Sequence, residues 1–125
     1  MTPIRVAIVG CGRISDLHEL GYRDCEDARI VAVCDARRSR ARAKAEAWGV
    51  EKVYTDYHRL LADPEVDLVE LLVPHHLHAG MTVAACQAGE HVSVQKPIQV
   101  ATPLRRDGRG PHAENEDRIA LLRRR

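Results

Sequence analysis

The sequence predicts an α/β fold, a doubly wound parallel sheet with strand order 3-2-1-4-5 and helices on both faces. Apolar runs rich in β-branched residues alternate with segments of helical spacing over residues 4–100, as in chains built from βαβ units. Aromatic residues form only 3% of the chain and Phe is absent, so the core must be aliphatic. An aliphatic core is typical of a parallel sheet that is buried on both faces.

The first βαβ unit carries the strongest functional signal. Its first strand runs into the glycine turn, Gly10-Cys11-Gly12, a helical segment follows, and the second strand ends at Asp35. Gly10 allows a tight turn, Gly12 lets a pyrophosphate approach the backbone, and the unpaired first amides of the helix suit an anion. Asp35 can accept hydrogen bonds from ribose hydroxyls, and Ser15 is small enough for close helix–strand packing. This layout indicates a dinucleotide site, and the alternative is a plain turn whose acid caps the next strand.

The other elements follow from apolar spacing and turn residues. Helices are predicted over residues 13–23, 39–48 and 74–88, with a short helix that Thr55 or Asp56 caps and that ends at Leu61. Strands are predicted at residues 53–54, 66–73 and 91–94, and Gly49 and Gly89 end two of the helices. We expect the three longer helices to face the sheet through Ile14, Leu17, Leu20 and Gly21, through Ala41, Ala45 and Trp48, and through Leu77, Met81, Ala84, Ala85 and Ala88.

Three residues near the glycine turn keep two interpretations each. His18, one turn into the first helix, faces either the cofactor or the sheet, where it completes the packing. Arg37 and Arg38 follow Asp35 and either reach the 2′-phosphate of NADP or are solvated arginines in the first turn of a helix. Because Asp35 would repel that phosphate, NAD is favoured over NADP.

A histidine cluster opens the helix that begins near residue 74. His75, His76 and His78 invite a metal interpretation, and His75 and His78 could share a helix face. No cysteine or acid nearby completes a plausible ligand set, so no metal site is predicted. The segment is instead predicted to border the nicotinamide pocket.

Composition excludes several classes of protein. The formal net charge is +1, so nothing points to a nucleic-acid surface, and no apolar run approaches the roughly 20 residues of a membrane span. The start of the chain leads straight into a strand, and we expect no signal peptide. Cys11, Cys25, Cys34 and Cys86 show no CxxC spacing, and we expect four reduced thiols in a cytoplasmic protein, with Cys11 simply a small residue in its turn.

Four segments together resemble one family, the amino-terminal domain of the glucose–fructose oxidoreductase / inositol dehydrogenase proteins (Gfo/Idh/MocA). The matching segments are Ile8–Ile14 with His18, Val33–Asp35, Val73–His78 and Ala88–Pro97. The resemblance implies a Rossmann domain over residues 1–100 that belongs to an NAD(P)-dependent oxidoreductase acting on sugar- or cyclitol-like alcohols.

The resemblance also implies the site residues. Lys96, in Gln95-Lys96-Pro97, lies near the nicotinamide and the substrate hydroxyl in the family and assists proton transfer, since a cation favours the developing alkoxide. Gln95 stands where the family has Glu, which removes a charge that would raise the lysine pKa, and Pro97 fixes the turn that presents Lys96. The implied cofactor contacts are Gly10, Cys11, Gly12, Arg13, Ile14, Asp35, Ala36, Arg37, Val73, Pro74, His75, His78, Lys96 and Pro97.

Residues 101–125 depart from the family pattern. They hold seven arginines, no lysine and no strand pattern, where family members continue into a substrate domain. We expect a truncated or frameshifted product with little or no turnover of its own, and the alternatives are a small protein with a disordered basic tail or a tail used for contacts. Surface left bare by the missing domain would favour low stability or homo-oligomers.

Overall fold

The computed structural model describes residues 3–94 and 99–101 of the chain. They form a six-stranded sheet with helices on both faces. The strands are β1 (Ile4–Val9), β2 (Ala28–Cys34), β3 (Lys52–Tyr54), β4 (Leu68–Leu71), β5 (His91–Val94) and β6 (Gln99–Ala101). The helices are α1 (Ile14–Arg23), α2 (Arg38–Trp48), α3 (Tyr57–Leu61) and α4 (His78–Gln87), and a 3₁₀ turn, His75–Leu77, precedes α4.

Five strands run parallel in the predicted order, β3-β2-β1-β4-β5. The doubly wound α/β class is therefore confirmed. β6 pairs with β5 in the antiparallel direction and was not predicted, because three residues are too few to show a period. β4 is shorter than the apolar run at residues 66–73, since Val66 and Asp67 belong to the connection that precedes it.

Two apolar layers enclose the sheet. The chain leaves β1 toward β2 and β3 and then returns to β4 on the other side of β1, so right-handed crossovers place α1 and α2 on one face and α3 and α4 on the other. The α1–α2 layer is built on Ile4, Val6, Ile8, Val33, Ala41, Ala45 and Leu68. The α3–α4 layer is built on Ala7, Val9, Ala32, Leu60, Leu61, Val69, Leu71, Ala85 and Val92.

The predicted inner face of α1 is wrong. Ser15 and Glu19 are the buried residues of this helix, whereas Leu17 is 69% exposed, Leu20 47% and Ile14 36%. The apolar stripe that the spacing assigned to the sheet therefore lies on the outside of α1. Periodicity finds the stripe correctly but does not say which side of the helix the sheet occupies.

A polar contact explains the rotation of α1. Glu70, in the middle of β4, is buried beneath the helix and would be costly to desolvate alone. Tyr22 donates its hydroxyl to Glu70 Oε2 at 2.8 Å, and His18 Nδ1 lies 3.0 Å from Glu70 Oε1. The helix therefore turns its polar side to the sheet. Of the two interpretations of His18, facing the cofactor or packing against the sheet, the structure shows the second.

The other helices agree better with prediction. α2 buries Ala41 and Ala45, and Gly49 ends it in the left-handed conformation with φ of +70°. Asp56 caps α3, as one of the two predicted capping residues, by accepting from the N–H of His58 at 2.9 Å.

In α4 the prediction of the inner face is correct only for the residues in its centre. Ala85 is buried, with Met81 and Ala84 packed beside it. Leu77 is 42% exposed and Ala88 is also exposed, so these two assignments are wrong. The physical reasons are that Leu77 lies in the 3₁₀ turn, which changes the angular spacing of side chains, and that Ala88 comes after the last helical residue.

The amino ends of β1 and β4 are clamped by an ion pair. The Arg5 guanidinium donates to both carboxylate oxygens of Asp67 at 3.1 Å. The backbone N–H of Arg5 also donates to Asp67 Oδ2, and the N–H of Asp67 donates to the carbonyl of Arg5. Glu90 lies at the same end of the sheet, before β5, and is 5% exposed. Burial, and then the charges of Asp67 and Asp63, raise the pKa of the Glu90 carboxyl to about 8, while Arg5 opposes them.

Within the described ranges, no helix is long and apolar enough to cross a lipid bilayer.

We predict that Gly10→Ala destabilises the fold and that Gly21→Ala does not. Gly10 has φ of +99°, and a Cβ there would lie 2.5 Å from the carbonyl oxygen of Leu72, so the chain must shift. We expect a loss of about 2–4 kcal/mol in urea unfolding. Gly21 lies in α1 with open space around it, so alanine there should be neutral or stabilising by about 0.5–1 kcal/mol. Equal effects of the two substitutions would contradict this account of Gly10.

We predict that Glu90 makes stability fall with rising pH. Its pKa is higher in the folded chain, about 8, than in the unfolded chain, so its contribution is complete below the unfolded value and is lost as pH rises through about 8. Glu90→Gln should be more stable than the parent at pH 8.5, by about 1–4 kcal/mol, and should flatten this part of the profile. The exposed Glu46→Gln is the control and should leave the profile unchanged. A parent profile that is flat between pH 5 and pH 9 would refute the prediction.

Candidate functional site

The glycine turn lies at the carboxyl edge of the sheet, between the ends of β2 and β4. The N–H of Gly10 donates to the carbonyl of Cys34, the last residue of β2, at 2.8 Å. The carbonyl of Leu72, just after β4, occupies the place where a side chain at position 10 would lie. Position 10 therefore requires glycine for its left-handed backbone and for the close approach of β4.

Gly12 has the opposite environment. A Cβ built on Gly12 would meet nothing within 4 Å, so the space in front of the turn is open. α1 begins directly afterwards, and no side chain caps its amino terminus at Arg13. In the first turn the N–H groups of Ser15 and Asp16 donate to the carbonyls of Gly12 and Arg13, at 3.1 and 3.3 Å, and the amino terminus of a helix carries partial positive charge. Arg13 and Ile14 are exposed at the rim, while Ser15 is fully buried and donates its hydroxyl to the carbonyl of Gly12.

Asp35 ties the glycine turn to the next helix. Its Oδ2 accepts from the N–H of Cys11 and its Oδ1 from the N–H of Arg37, both at 2.8 Å. The carboxylate thus shapes the turn and the start of α2 before any ligand is present. A carboxylate has about four acceptor positions, so two remain for the ribose hydroxyls that the sequence assigns to it.

Cys11 is a packing residue in this geometry. Its side chain is 3% exposed and its thiol lies 3.6 Å from the carbonyl oxygen of Cys34. Burial, and then the charge of Asp35, raise the pKa of the Cys11 thiol to about 11. The thiol therefore stays protonated at neutral pH, which argues against a reactive cysteine in the turn.

Ala36, Arg37 and Arg38 are exposed beside Asp35, at the edge where an adenosine would lie. In the part of the chain that the structure describes, neither arginine side chain forms an ion pair. This exposure agrees equally with the two interpretations of the arginines, contact with a phosphate or solvation.

The end of β4 forms the other side of the site. The N–H of Leu72 donates to the carbonyl of Val9 at 2.8 Å, which keeps β4 beside β1 up to the glycine turn. Val73 is half-buried and Pro74 is exposed. His78 points back toward the strand, with its Nε2 2.7 Å from the carbonyl oxygen of Val73.

The side chains of three predicted contact residues lie outside the described part of the chain. Lys96 and Pro97 lie outside the described residues, as does the side chain of His75, whose backbone opens the 3₁₀ turn. The residues that the structure does bring to one edge of the sheet are Gly10, Cys11, Gly12, Arg13, Ile14, Asp35, Ala36, Arg37, Val73, Pro74 and His78.

Sequence reasoning missed the polar group under α1. Glu70, Tyr22 and His18 form a connected set behind the glycine turn. Burial, and then Glu70, raise the pKa of the Tyr22 hydroxyl well above its ordinary value, so it remains a donor. The available signal was an acid within the otherwise apolar run Leu68–Val73, which a strand buried on both faces rarely carries without a partner.

Residues 3–94 and 99–101 contain no group of three His, Cys, Asp or Glu side chains arranged to hold a metal ion.

Comparison with known proteins agrees with this geometry. The profile of a family described as an oxidoreductase family with an NAD-binding Rossmann fold (GFO_IDH_MocA) matches residues 4–105. Myo-inositol 2-dehydrogenase of Thermotoga maritima is 35% identical over 97 residues, which are 78% of this chain and 29% of that protein. D-glucoside 3-dehydrogenase of Escherichia coli is 39% identical over 97 residues, 77% of this chain and 28% of that protein. The chain thus spans less than a third of the length of these curated relatives.

Solved structures show the same similarity. A probable dehydrogenase from Thermotoga maritima superposes with a TM-score of 0.68 at 36% identity, covering 72% of this chain and 27% of that one. The WlbA dehydrogenase from Bordetella pertussis, in complex with NADH and UDP-GlcNAcA, gives a TM-score of 0.70 at 31% identity, covering 74% and 28%.

We predict that Asp35→Asn destabilises the ligand-free chain more than Asp56→Asn does. An asparagine at position 35 offers one acceptor oxygen, so one of the two backbone N–H groups would face an NH₂ group. We expect a cost of about 1–3 kcal/mol in urea unfolding. Asp56 accepts one such bond, which asparagine keeps, so the matched substitution should cost less than about 0.5 kcal/mol. If both substitutions cost the same, Asp35 does not hold the turn.

Proposed function

Because this chain belongs to the Gfo/Idh/MocA oxidoreductase family, we propose that it forms the NAD-binding half of a dehydrogenase that oxidises a sugar- or cyclitol-like alcohol. The observation that carries the proposal is the open space at Gly12, directly before an uncapped helix amino terminus. A pyrophosphate needs both features, close approach to the backbone and the partial positive charge of a helix amino terminus. The descriptions of the family and of the dehydrogenases above support the reaction class.

Different residues of the chain would bind different parts of the dinucleotide. The amides at the start of α1 would bind the pyrophosphate in front of Gly12. Asp35, at the end of β2, would accept from the adenosine ribose, and its negative charge favours NAD over NADP. Since β2 and β4 flank β1 on opposite sides, the nicotinamide half would extend past the end of β4. When bound, NAD supplies the hydride acceptor.

Lys96 is our proposed catalytic residue. It comes two residues after β5 in the sequence, and β5 runs parallel to β4, so β5 ends at the edge of the sheet where Val73 lies. An ammonium group there would stabilise the alkoxide that develops on the substrate hydroxyl and would pass on its proton. Gln95 adds no charge beside it.

The cell compartment and assembly state are also proposals. Among the described residues the thiols of Cys11, Cys34 and Cys86 form no disulfide, which supports a cytoplasmic location. Leu17 and Leu20 on the outside of α1 support association, and a homo-oligomer stays a prediction.

We predict that the purified chain binds NADH more tightly than NADPH and that Gly12→Val abolishes most of this affinity. A Cβ at position 12 would meet nothing within 4 Å, and valine would fill the space of the pyrophosphate, so we expect the Kd to rise at least about tenfold with little change in Tm. The measurement is calorimetric titration beside a thermal melt. Gly80→Ala, exposed in α4, is the control and should bind normally. Unchanged NADH affinity in Gly12→Val, or no binding by the parent at millimolar NADH, would refute the proposed site.

A further inference from the structure

The order of the strands determines on which side of the glycine turn each half of a dinucleotide would lie. The strand order reverses between β1 and β4, and ligands of doubly wound sheets bind in the crevice at such a reversal. Asp35 lies on the β2 side of the glycine turn, and the β4 end lies on the other side. A dinucleotide with its adenosine at Asp35 must therefore place its other half against residues 72–74.

Residues 72–74 form that wall of the crevice, and backbone hydrogen bonds hold it in addition to the packing of the Leu72 and Val73 side chains. Leu72 is fixed by its N–H bond to Val9 and by the contact of its carbonyl with Gly10. Val73 is the second residue after β4, so its carbonyl is outside the paired part of the strand. The bond from His78 Nε2, at 2.7 Å, gives that carbonyl a partner.

The chemistry of this bond defines the state of the histidine. A carbonyl oxygen only accepts, so Nε2 of His78 must carry a proton and donate. Both the Nε2–H tautomer and the doubly protonated ring meet this condition. The bond directs Nε2 of the ring to the Val73 carbonyl, which gives His78 a role beside the direct cofactor contact that the resemblance implied.

We propose that His78 is a positioning residue: by holding the Val73 carbonyl, it fixes residues 72–74 in the shape that receives the nicotinamide half of the cofactor. The inference rests on the proposed NAD site. It separates two roles within the histidine cluster, since His76 is exposed and has no part in this bond. It also predicts an effect on one half of the ligand, because Asp35 and the glycine turn are fixed by other bonds.

The test compares NADH with ADP-ribose, which lacks the nicotinamide. In His78→Ala we expect the Kd for NADH to rise about tenfold, as loss of one well-formed bond would give, with the Kd for ADP-ribose unchanged within about twofold. His78→Gln places an amide donor within reach of the Val73 carbonyl and should restore most of the NADH affinity. His76→Ala is the matched control and should behave as the parent with both ligands. If His78→Ala does not fold, His78→Asn, whose amide is too short to reach, takes its place.

The results distinguish a failure of the NAD site from a failure of the role proposed for His78. A parent chain that binds neither ligand refutes the NAD site itself. A parent that binds both equally well shows that the nicotinamide half gains nothing from the β4 end and overturns the inference alone. The inference also fails if the His78 variants weaken both ligands equally, which is a general structural effect, or weaken neither, or if His78→Gln does not recover binding.

Discussion

The close approach of Leu72 to Gly10 is the constraint on which the site depends. The carbonyl of Leu72 occupies the space of a side chain at position 10, so the chain after β1 passes directly against the end of β4. On its other side the same turn is held by the carbonyl of Cys34 and the carboxylate of Asp35. The end of β1 is thus held against the ends of both β2 and β4. The floor of the site is backbone, and its chemistry is that of amide groups presented to an anion.

Four acids at three levels of the sheet show how differently a carboxylate can be accommodated. Asp35, at the carboxyl edge, accepts from backbone amides. Glu70, in mid-strand, is held by Tyr22 and His18, and Asp67, at the amino edge, by Arg5. For Glu90 no donor to Oε2 is found among the described residues, and burial raises the pKa of its carboxyl instead. The first three fix geometry, whereas the fourth makes stability depend on pH.

The Glu70 contact has a consequence for the surface. Satisfying this acid turns the polar side of α1 inward, and Leu17 and Leu20 then remain outside. A helix face of this kind is a candidate for contact with further protein. The buried contact of Glu70 with Tyr22 and the exposure of Leu17 and Leu20 thus both follow from the rotation of α1 about its axis.

The sequence by itself determined the strand order, the glycine turn, the Asp56 cap and the end of α2 at Gly49, because these depend on local backbone chemistry and on repeated apolar spacing. For the described residues it also indicated which strand ends lie together at the carboxyl edge, since parallel strands bring their ends together. Only the tertiary structure decided the rotation of α1, the turning of His78 toward Val73 and the engagement of Asp35 with two amides. Each depends on a partner distant in the chain or on the direction of one side chain, and neither is encoded in a period or a spacing.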